Sequence, residues 1–195
     1  MPRLQGSATT LEFALLGLLD QQPQTGYDLR RVFATTPFAL YSDSPGAVYP
    51  ALRRLEARGW IAPVAVRPTN ARGRRPLHLT ALGSRCLRAW LEQPPTRDEA
   101  VRDLRALYLR FAFMSQAAPP AVPVRFLASL RELLAAHLEG LERFYAGAKP
   151  AMPPTGRLVF EHGMDEIRRT ALWCERSGMA LSAGESGRRK EGEES

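Results

Sequence analysis

Lysine, cysteine and long apolar runs are all scarce in this sequence of 195 residues. Of its 27 basic residues, only Lys149 and Lys190 are lysines. The two cysteines, Cys86 and Cys174, form no cluster, so they predict free thiols in a reducing compartment and not a disulfide scaffold. The apolar run 13–19 is too short to span a bilayer, and the first twenty residues lack the features of a signal peptide. We therefore expect a soluble, cytoplasmic protein.

The residue patterns of common catalytic and metal sites are also missing. The three histidines, His78, His137 and His162, share no metal-ligand spacing with each other or with the cysteines. The sequence contains no glycine-rich phosphate loop and no serine in a strand–turn–helix elbow. The carboxylate pair Asp98-Glu99 stands at a predicted helix start, where the helix dipole favours negative charge. The sequence therefore predicts that the protein binds no cofactor or metal and is not an enzyme.

Positive charge is concentrated in the first half of the chain. Residues 1–95 contain twelve arginines and six acidic residues, a formal charge of +6. Residues 96–195 contain fifteen basic and fourteen acidic residues, a formal charge of +1. Because the surplus of positive charge lies in residues 1–95, it favours an anionic partner for that half of the chain.

The stretch 44–59 predicts a short helix with two different faces. Ser44 followed by Pro45 is typical of a helix start, and Gly59 is placed to end the helix. Apolar residues recur at helical spacing and predict one buried face: Val48, Leu52 and Leu55, with Ala51 beside them. The outward face combines small residues with an aromatic hydroxyl and guanidinium groups: Gly46, Pro50, Arg53 and Ala57, flanked by Tyr49 and Arg54. Such a face can approach a polyanion closely.

The elements around this helix follow a recognisable order. Capping-box spacing from Thr9 to Glu12 predicts a helix at about 10–21, and Thr25 is the predicted cap of a second helix that ends at about residue 33. A further helix is predicted at 80–92. Between them, strands at 60–66 and 76–79 flank a turn, 67–75, that carries four arginines. Three helices followed by a hairpin with a basic tip describe a winged helix-turn-helix, in which the hairpin reaches the phosphates beside the recognition helix.

Several motifs resemble the PadR family of bacterial transcriptional regulators. They are Leu15-Leu-Gly-Leu-Leu19, Gly26-Tyr27-Asp28-Leu29, Gly46-Ala-Val-Tyr-Pro-Ala-Leu-Arg-Arg-Leu-Glu56, Gly59-Trp-Ile61, Gly73-Arg-Arg75, Leu79-Thr80 and Gly83. The resemblance spans about residues 11–92. The length of the whole chain fits the branch of the family that has a long C-terminal domain. The resemblance implies a homodimeric DNA-binding protein, usually a repressor, which in some members releases DNA when a small molecule binds. It also implies that the recognition helix continues through Pro50.

The predicted DNA-binding surface combines the recognition helix, the wing and the start of the second helix. We predict that Arg53 contacts a base edge and that Arg54 and Tyr49 contact phosphates. Tyr27 and Tyr49 could instead be core aromatic residues. The full predicted set is Tyr27, Ser44, Gly46, Ala47, Tyr49, Pro50, Arg53, Arg54, Arg72, Arg74 and Arg75.

The second half of the chain predicts three helical segments, 97–115, 124–146 and 156–181, separated by proline clusters. The last two segments carry apolar seams at steps of three and four residues. We predict that these seams form a dimer interface with a second copy, although an intramolecular bundle is the alternative. The seam residues are Leu127, Leu130, Leu134, His137, Leu141, Phe144, Phe160, Met164, Ile167, Ala171 and Cys174.

The predicted fold is therefore mainly α: an N-terminal winged helix-turn-helix with a two-stranded β wing, followed by an all-α C-terminal dimerisation domain. Its parts are a flexible arm (1–8), the DNA-binding domain (9–93), the dimerisation domain (96–181) and a disordered tail (182–195). The expected partners are double-stranded operator DNA, a second copy of the chain and a small aromatic effector, with no membrane. The alternatives are a winged-helix module that binds an acidic protein and no longer binds specific DNA, and a sensor in which ligand binding is the main event.

Overall fold

The structure, a computed structural model, describes residues 8–35, 45–65 and 75–193. The chain forms two compact units. The N-terminal unit comprises Met1–Gln93 and Tyr108–Pro119, and the C-terminal unit comprises Pro94–Leu107 and Pro120–Ser195.

The N-terminal unit begins with three helices: α1 (Thr10–Gln21), α2 (Gly26–Thr35) and α3 (Val48–Ala57), the last preceded by a 3₁₀ turn at Pro45–Ala47. Thr9 and Glu12 form the capping box that the sequence predicts at the start of α1. Helix α1 is buried on most sides because its residues 14–19 are apolar or glycine. Its side chains pack with those of α3 and α4 to form the core of this unit.

The wing and a fourth helix follow α3. Strands β1 (Ile61–Pro63) and β2 (Leu77–Leu79) pair antiparallel, with Ile61 opposite Leu79. The strand predicted at 60–66 is therefore shorter in the structure, where Pro63 lacks the amide that a ladder needs. Helix α4 (Ala81–Leu91) is capped by Thr80, whose hydroxyl accepts a hydrogen bond from the Gly83 amide.

The segment 97–115, predicted as one helix, is divided into three: α5 (Arg97–Arg102), α6 (Leu104–Ala112) and α7 (Met114–Ala117). The first break is at Asp103, which leaves the helical region with φ −139° and ψ 48°. Its carboxylate accepts a hydrogen bond from the Ala106 amide, so it caps the next helix. Residues 108–119 belong to the N-terminal unit, where Phe113 packs against Gly17 of α1.

Two long helices dominate the C-terminal unit: α8 (Ala121–Ala148) and α9 (Pro154–Glu193), joined by a 3₁₀ turn at Lys149–Ala151. The helix α9 continues to Glu193, through most of the stretch 182–195 for which we predicted disorder. Extending an existing helix costs little compared with starting one, and Glu, Arg and Lys are good helix formers.

Candidate nucleic-acid interface

Helix α3 has the two faces that its sequence predicts. Val48, Leu52 and Leu55 are buried in the core, and Ala51 is buried beside them. On the opposite side Gly46, Arg53 and Ala57 are exposed, and Ala47 and Pro50 are half-buried. The helix ends at Ala57, and Gly59 just beyond it has φ +68°, a conformation that glycine adopts without strain. The outward face is therefore open, with small residues around the Arg53 guanidinium.

Pro50 fits this helix because of where the α-helical part begins. A proline inside a helix removes one backbone hydrogen bond, but the first few amides of a helix have no intrahelical partner. The turn Pro45–Ala47 is 3₁₀, and the α-helix starts only at Val48. Pro50 therefore lies in the first α-helical turn, and the helix continues through it, as the resemblance implies. The predicted cap, Ser44, lies outside the described residues.

The start of α2 brings two tyrosines into one region of the surface. Thr25 accepts a hydrogen bond from the Asp28 amide, and its hydroxyl donates to the Asp28 carboxylate at 2.6 Å. The ring of Tyr49 lies close to Gly26: a Cβ atom placed on Gly26 would be 3.1 Å from Cε1 of that ring. Tyr27 and Tyr49 are 43% and 42% exposed, so neither is a core aromatic residue.

A buried carboxylate joins α1 to the second half of α3. Only 1% of the Glu12 side chain is exposed. One of its oxygens accepts a hydrogen bond from Arg54 Nε at 2.6 Å. The other accepts from Arg58 Nη1 at 3.1 Å and from the Thr9 amide at 2.9 Å. The Arg58 guanidinium also lies over the ring of Trp60, 5.3 Å from its centroid.

These contacts keep Glu12 ionised in spite of its burial. Burial raises the pKa of Glu12, but the hydrogen bonds from Thr9 and Arg54 and the charges of Arg58 and Arg54 lower it. The net effect is a pKa below the ordinary glutamate value. The carboxylate is therefore negative at neutral pH, and together with the two guanidiniums it gives a cluster of net charge +1.

Sequence reasoning found the capping role of Glu12 but missed its two arginine partners, and it assigned no role to Arg58. The partners are 42 and 46 residues away along the chain, and no local pattern links residues at such distances. The one available signal was an acidic residue in a helix otherwise surrounded by apolar core residues. Such a residue has to find a cationic partner when it is buried.

The wing is described only at its base. Arg75 is exposed just before β2, whereas Arg72 and Arg74 lie outside the described residues. The base is tied to the rest of the unit by Gln24, whose amide and carbonyl exchange hydrogen bonds with Leu77 at 3.1 and 2.8 Å. This connection places Arg75 two residues before a short strand that is anchored next to the start of α2.

The two apolar seams of the C-terminal half pair with each other within one chain, the arrangement that we gave as the alternative to a dimer interface. The connection between α8 and α9 is only a few residues long, so the helices lie side by side and antiparallel. Ion pairs join Arg131 to Glu175 at 3.8 Å and Arg168 to Glu142 across the same contact. The seam residues divide into buried (Leu127, Leu130, Leu134, Met164, Cys174), half-buried (His137, Leu141, Phe160, Ile167, Ala171) and exposed (Phe144).

The elements of the N-terminal unit together define a winged helix-turn-helix: α2 and α3 joined across 36–44, a two-stranded wing, and α1 and α4 packed behind them. The mainly helical fold with one small antiparallel sheet that the sequence predicts is confirmed. No helix within the described part of the chain is both long enough and apolar enough to cross a membrane.

The family to which this winged segment corresponds follows from comparison with known proteins. The model of the transcriptional regulator PadR-like family matches residues 15–89. The resemblance to PadR regulators inferred from the sequence is thereby confirmed for this segment, which contains α3 and the wing. No curated protein is a match to this chain.

Solved structures of similar length also resemble the chain, at low identity. Bacillus subtilis PadR in complex with operator DNA is 21% identical, and the alignment covers 90% of this chain and 99% of that one with a TM-score of 0.42. The same protein in complex with p-coumaric acid is 21% identical over 91% and 98% of the chains, with a TM-score of 0.42. The Vibrio cholerae virulence activator AphA is 21% identical over 89% and 98%, with a TM-score of 0.37.

Proposed function

We propose that this protein is a sequence-specific transcriptional regulator, a homodimer that represses by binding a pseudo-palindromic operator. The observation that carries the proposal is the outward face of α3, where the exposed Arg53 is surrounded by small residues within a segment that matches a family of transcriptional regulators. A guanidinium on a narrow helix face is suited to bidentate contact with guanine in the major groove.

The proposed contacts divide into base readout and phosphate binding. Arg53 reads a base edge, while Gly46, Ala47 and Pro50 leave room for the helix to enter the groove. Phosphates are bound by the arginines and tyrosines around this face: Arg54, Tyr49, Tyr27, Arg75 and, at the tip of the wing, Arg72 and Arg74. In a dimer the two α3 helices would lie about 34 Å apart, one turn of the duplex.

The first test measures binding of the purified protein to a duplex from its own promoter region, with a scrambled duplex of equal length and composition as competitor. We expect a preference of about a thousandfold or more at near-physiological salt. If six to ten phosphates are contacted, the slope of log affinity against log salt should be roughly −5 to −9. Equal binding to the two duplexes would reject the proposal and favour a module that binds an acidic protein. A slope near zero would contradict the phosphate contacts.

Replacing Arg53 with alanine should weaken promoter binding by about 1–3 kcal/mol and relax the sequence preference at one position of the site. The reason is that Arg53 is exposed on α3, so its loss removes a base contact and leaves the core unchanged. Arg143→Ala is the control, because it removes an exposed arginine from α8 in the C-terminal unit. An equal loss on the promoter and the scrambled duplex would make Arg53 a phosphate contact.

We infer that the proposed dimer uses a further surface, because most of the seam residues of α8 and α9 are buried or half-buried within the chain. Leu158 and Leu172 are spaced by fourteen residues, so they share the side of α9 that faces away from α8. Both are exposed, and Trp173 is exposed beside Leu172. Met179 is also exposed, but it lines a groove between α9 and α8. Exposed apolar side chains aligned on one face mark interaction surfaces. We propose that this face of α9 packs against the same face of a second copy.

Release of DNA by a small aromatic effector remains a prediction, and the C-terminal unit contains a groove large enough for one. The groove has a volume of about 390 Å³ and is lined by Arg97, Asp98, Val101 and Arg102 of α5 and by His137 of α8. Arg102 is paired with Asp98 at 2.9 Å, so Arg97 is the arginine left for an acid group, and Val101 and the ring of His137 suit an aromatic ring.

A further inference from the structure

Glu12 binds Arg54 at Nε, so the two Nη groups of Arg54 are left to bind a ligand. The Nε hydrogen bond to Glu12 uses one of the five N–H donors of the guanidinium. Within the described residues no other partner of the Arg54 guanidinium is found, so its four Nη–H donors remain available. The side chain is 49% exposed, although the carboxylate that holds it is buried. A residue of the core therefore fixes the position of a cation on the surface.

Holding a guanidinium in place changes what it contributes to binding. A free arginine side chain loses rotamer entropy when it is immobilised against a phosphate, and this loss weakens binding. Arg54 is already held at Nε by Glu12, and Glu12 is itself held by the Thr9 amide and by Arg58. The cost of immobilisation is therefore met when the protein folds, before DNA arrives.

We propose that Glu12, which lies in the core, is a positioning residue for DNA binding: it holds Arg54 in the orientation in which its free Nη–H donors meet a phosphate. The inference rests on the proposed function, because it assigns the anion at Arg54 to the backbone of a duplex. Arg58 also holds the Glu12 carboxylate in place, because its guanidinium donates a hydrogen bond to Glu12 and lies over the ring of Trp60.

Simple electrostatics gives the opposite expectation, and this makes the proposal testable. Neutralising Glu12 raises the net charge of the cluster from +1 to +2, so Coulomb attraction alone predicts tighter binding to DNA. Positioning predicts weaker binding, because glutamine offers one acceptor oxygen where three donors converge. The sign of the change in affinity separates the two accounts.

The experiment compares Glu12→Gln with the wild-type protein on the promoter duplex and the scrambled duplex. We expect about tenfold weaker promoter binding, the size of a lost charge-assisted contact, and a salt slope smaller in magnitude by about one. In an Arg54→Met background, Glu12→Gln should cause no further loss, because the side chain that it positions is gone.

A matched control separates positioning from damage to the fold. Thr9→Ala removes the side-chain cap of α1 and destabilises the same helix end, but it leaves Arg54 on Glu12. Thermal unfolding is measured for each variant, and binding is then measured at a temperature at which all variants are folded. Under these conditions Thr9→Ala should keep the affinity and the salt slope of the wild-type protein. If Thr9→Ala weakened binding as much as Glu12→Gln does, the role of Glu12 would be structural only.

Other results would overturn the inference without affecting the proposed function. Tighter binding by Glu12→Gln would show that only its charge matters, and a full further loss in the Arg54→Met background would show that Glu12 acts elsewhere. Unchanged affinity of Arg54→Met alone would remove the phosphate contact itself. In each case the wild-type protein would still prefer its promoter. If the wild-type protein showed no such preference, the proposed function would fail as well.

Discussion

Replacing Gly83 with alanine is expected to destabilise the N-terminal unit by about 3 kcal/mol or more, and to lower its unfolding temperature by more than about 10 °C. A Cβ on Gly83 would be 2.0 Å from the carbonyl oxygen of Trp60, and backbone atoms cannot move aside as a flexible side chain can. The Trp60 carbonyl also accepts hydrogen bonds from the Thr80 amide and hydroxyl at 3.0 and 3.2 Å. The start of α4 would therefore have to move away from the end of α3.

Gly140→Ala is the control for this change. Gly140 lies in an exposed position inside α8, where an added Cβ meets nothing within 4 Å. Alanine there should stabilise the helix by about 0.5–1 kcal/mol, because glycine loses more backbone entropy on folding. Thermal unfolding followed by circular dichroism measures both variants. Equal stability of Gly83→Ala and Gly140→Ala would show that α4 does not approach Trp60 as closely as the structure indicates.

Introducing glutamate at both Leu158 and Leu172 is expected to separate the proposed dimer and to weaken promoter binding by about a hundredfold or more. Burying a carboxylate in an apolar interface is costly, and two central positions each contribute about 2 kcal/mol or more when they are binding hot spots. A monomer also contacts only one half of a two-fold operator. Sedimentation velocity measures the oligomeric state, and promoter binding at the same protein concentration measures the consequence.

Two residues of equal exposure provide a matched pair. Leu172 is 44% exposed on α9 and Val101 is 42% exposed on α5, and both lie in the C-terminal unit. Each single change to glutamate adds the same charge to an apolar surface position. We expect Leu172→Glu to raise the dimer dissociation constant and Val101→Glu to leave it unchanged. A wild-type protein that is monomeric, or a double variant that stays dimeric, would rule out this face of α9 as the interface.

Local chemistry was enough to predict most of the winged segment. The capping box at Thr9, the cap at Thr25 and the glycine at residue 59 act on their own neighbours, so their effect can be derived from a few adjacent residues. The same is true of the buried face of α3, which follows from helical spacing. The motifs around α3 were also sufficient to identify the family, which the match over residues 15–89 confirms.

Elements whose form depends on distant partners could not be predicted in this way. The segment 97–115 is a different case, because its break has a local cause that we missed: Asp103 caps a new helix and divides a segment that has the apolar spacing of one helix. The apolar seams of α8 and α9 indicated that each helix needs a partner, yet spacing does not say whether that partner is in the same chain. In the structure, the short connection and the interhelical ion pairs bring α8 and α9 together within the same chain.

The sequence by itself therefore determined the order of the elements, the two faces of α3, the concentration of arginine in the first half and the family whose model matches residues 15–89. Only the tertiary structure decided that Glu12 holds Arg54 and Arg58, that α4 begins against the carbonyl of Trp60, and that the seams of α8 and α9 fill each other. The physical reason is the same in each case. Caps and helical periodicity act within a few residues, whereas the partner of a buried charge or an apolar face is set by which distant segments the whole fold brings together.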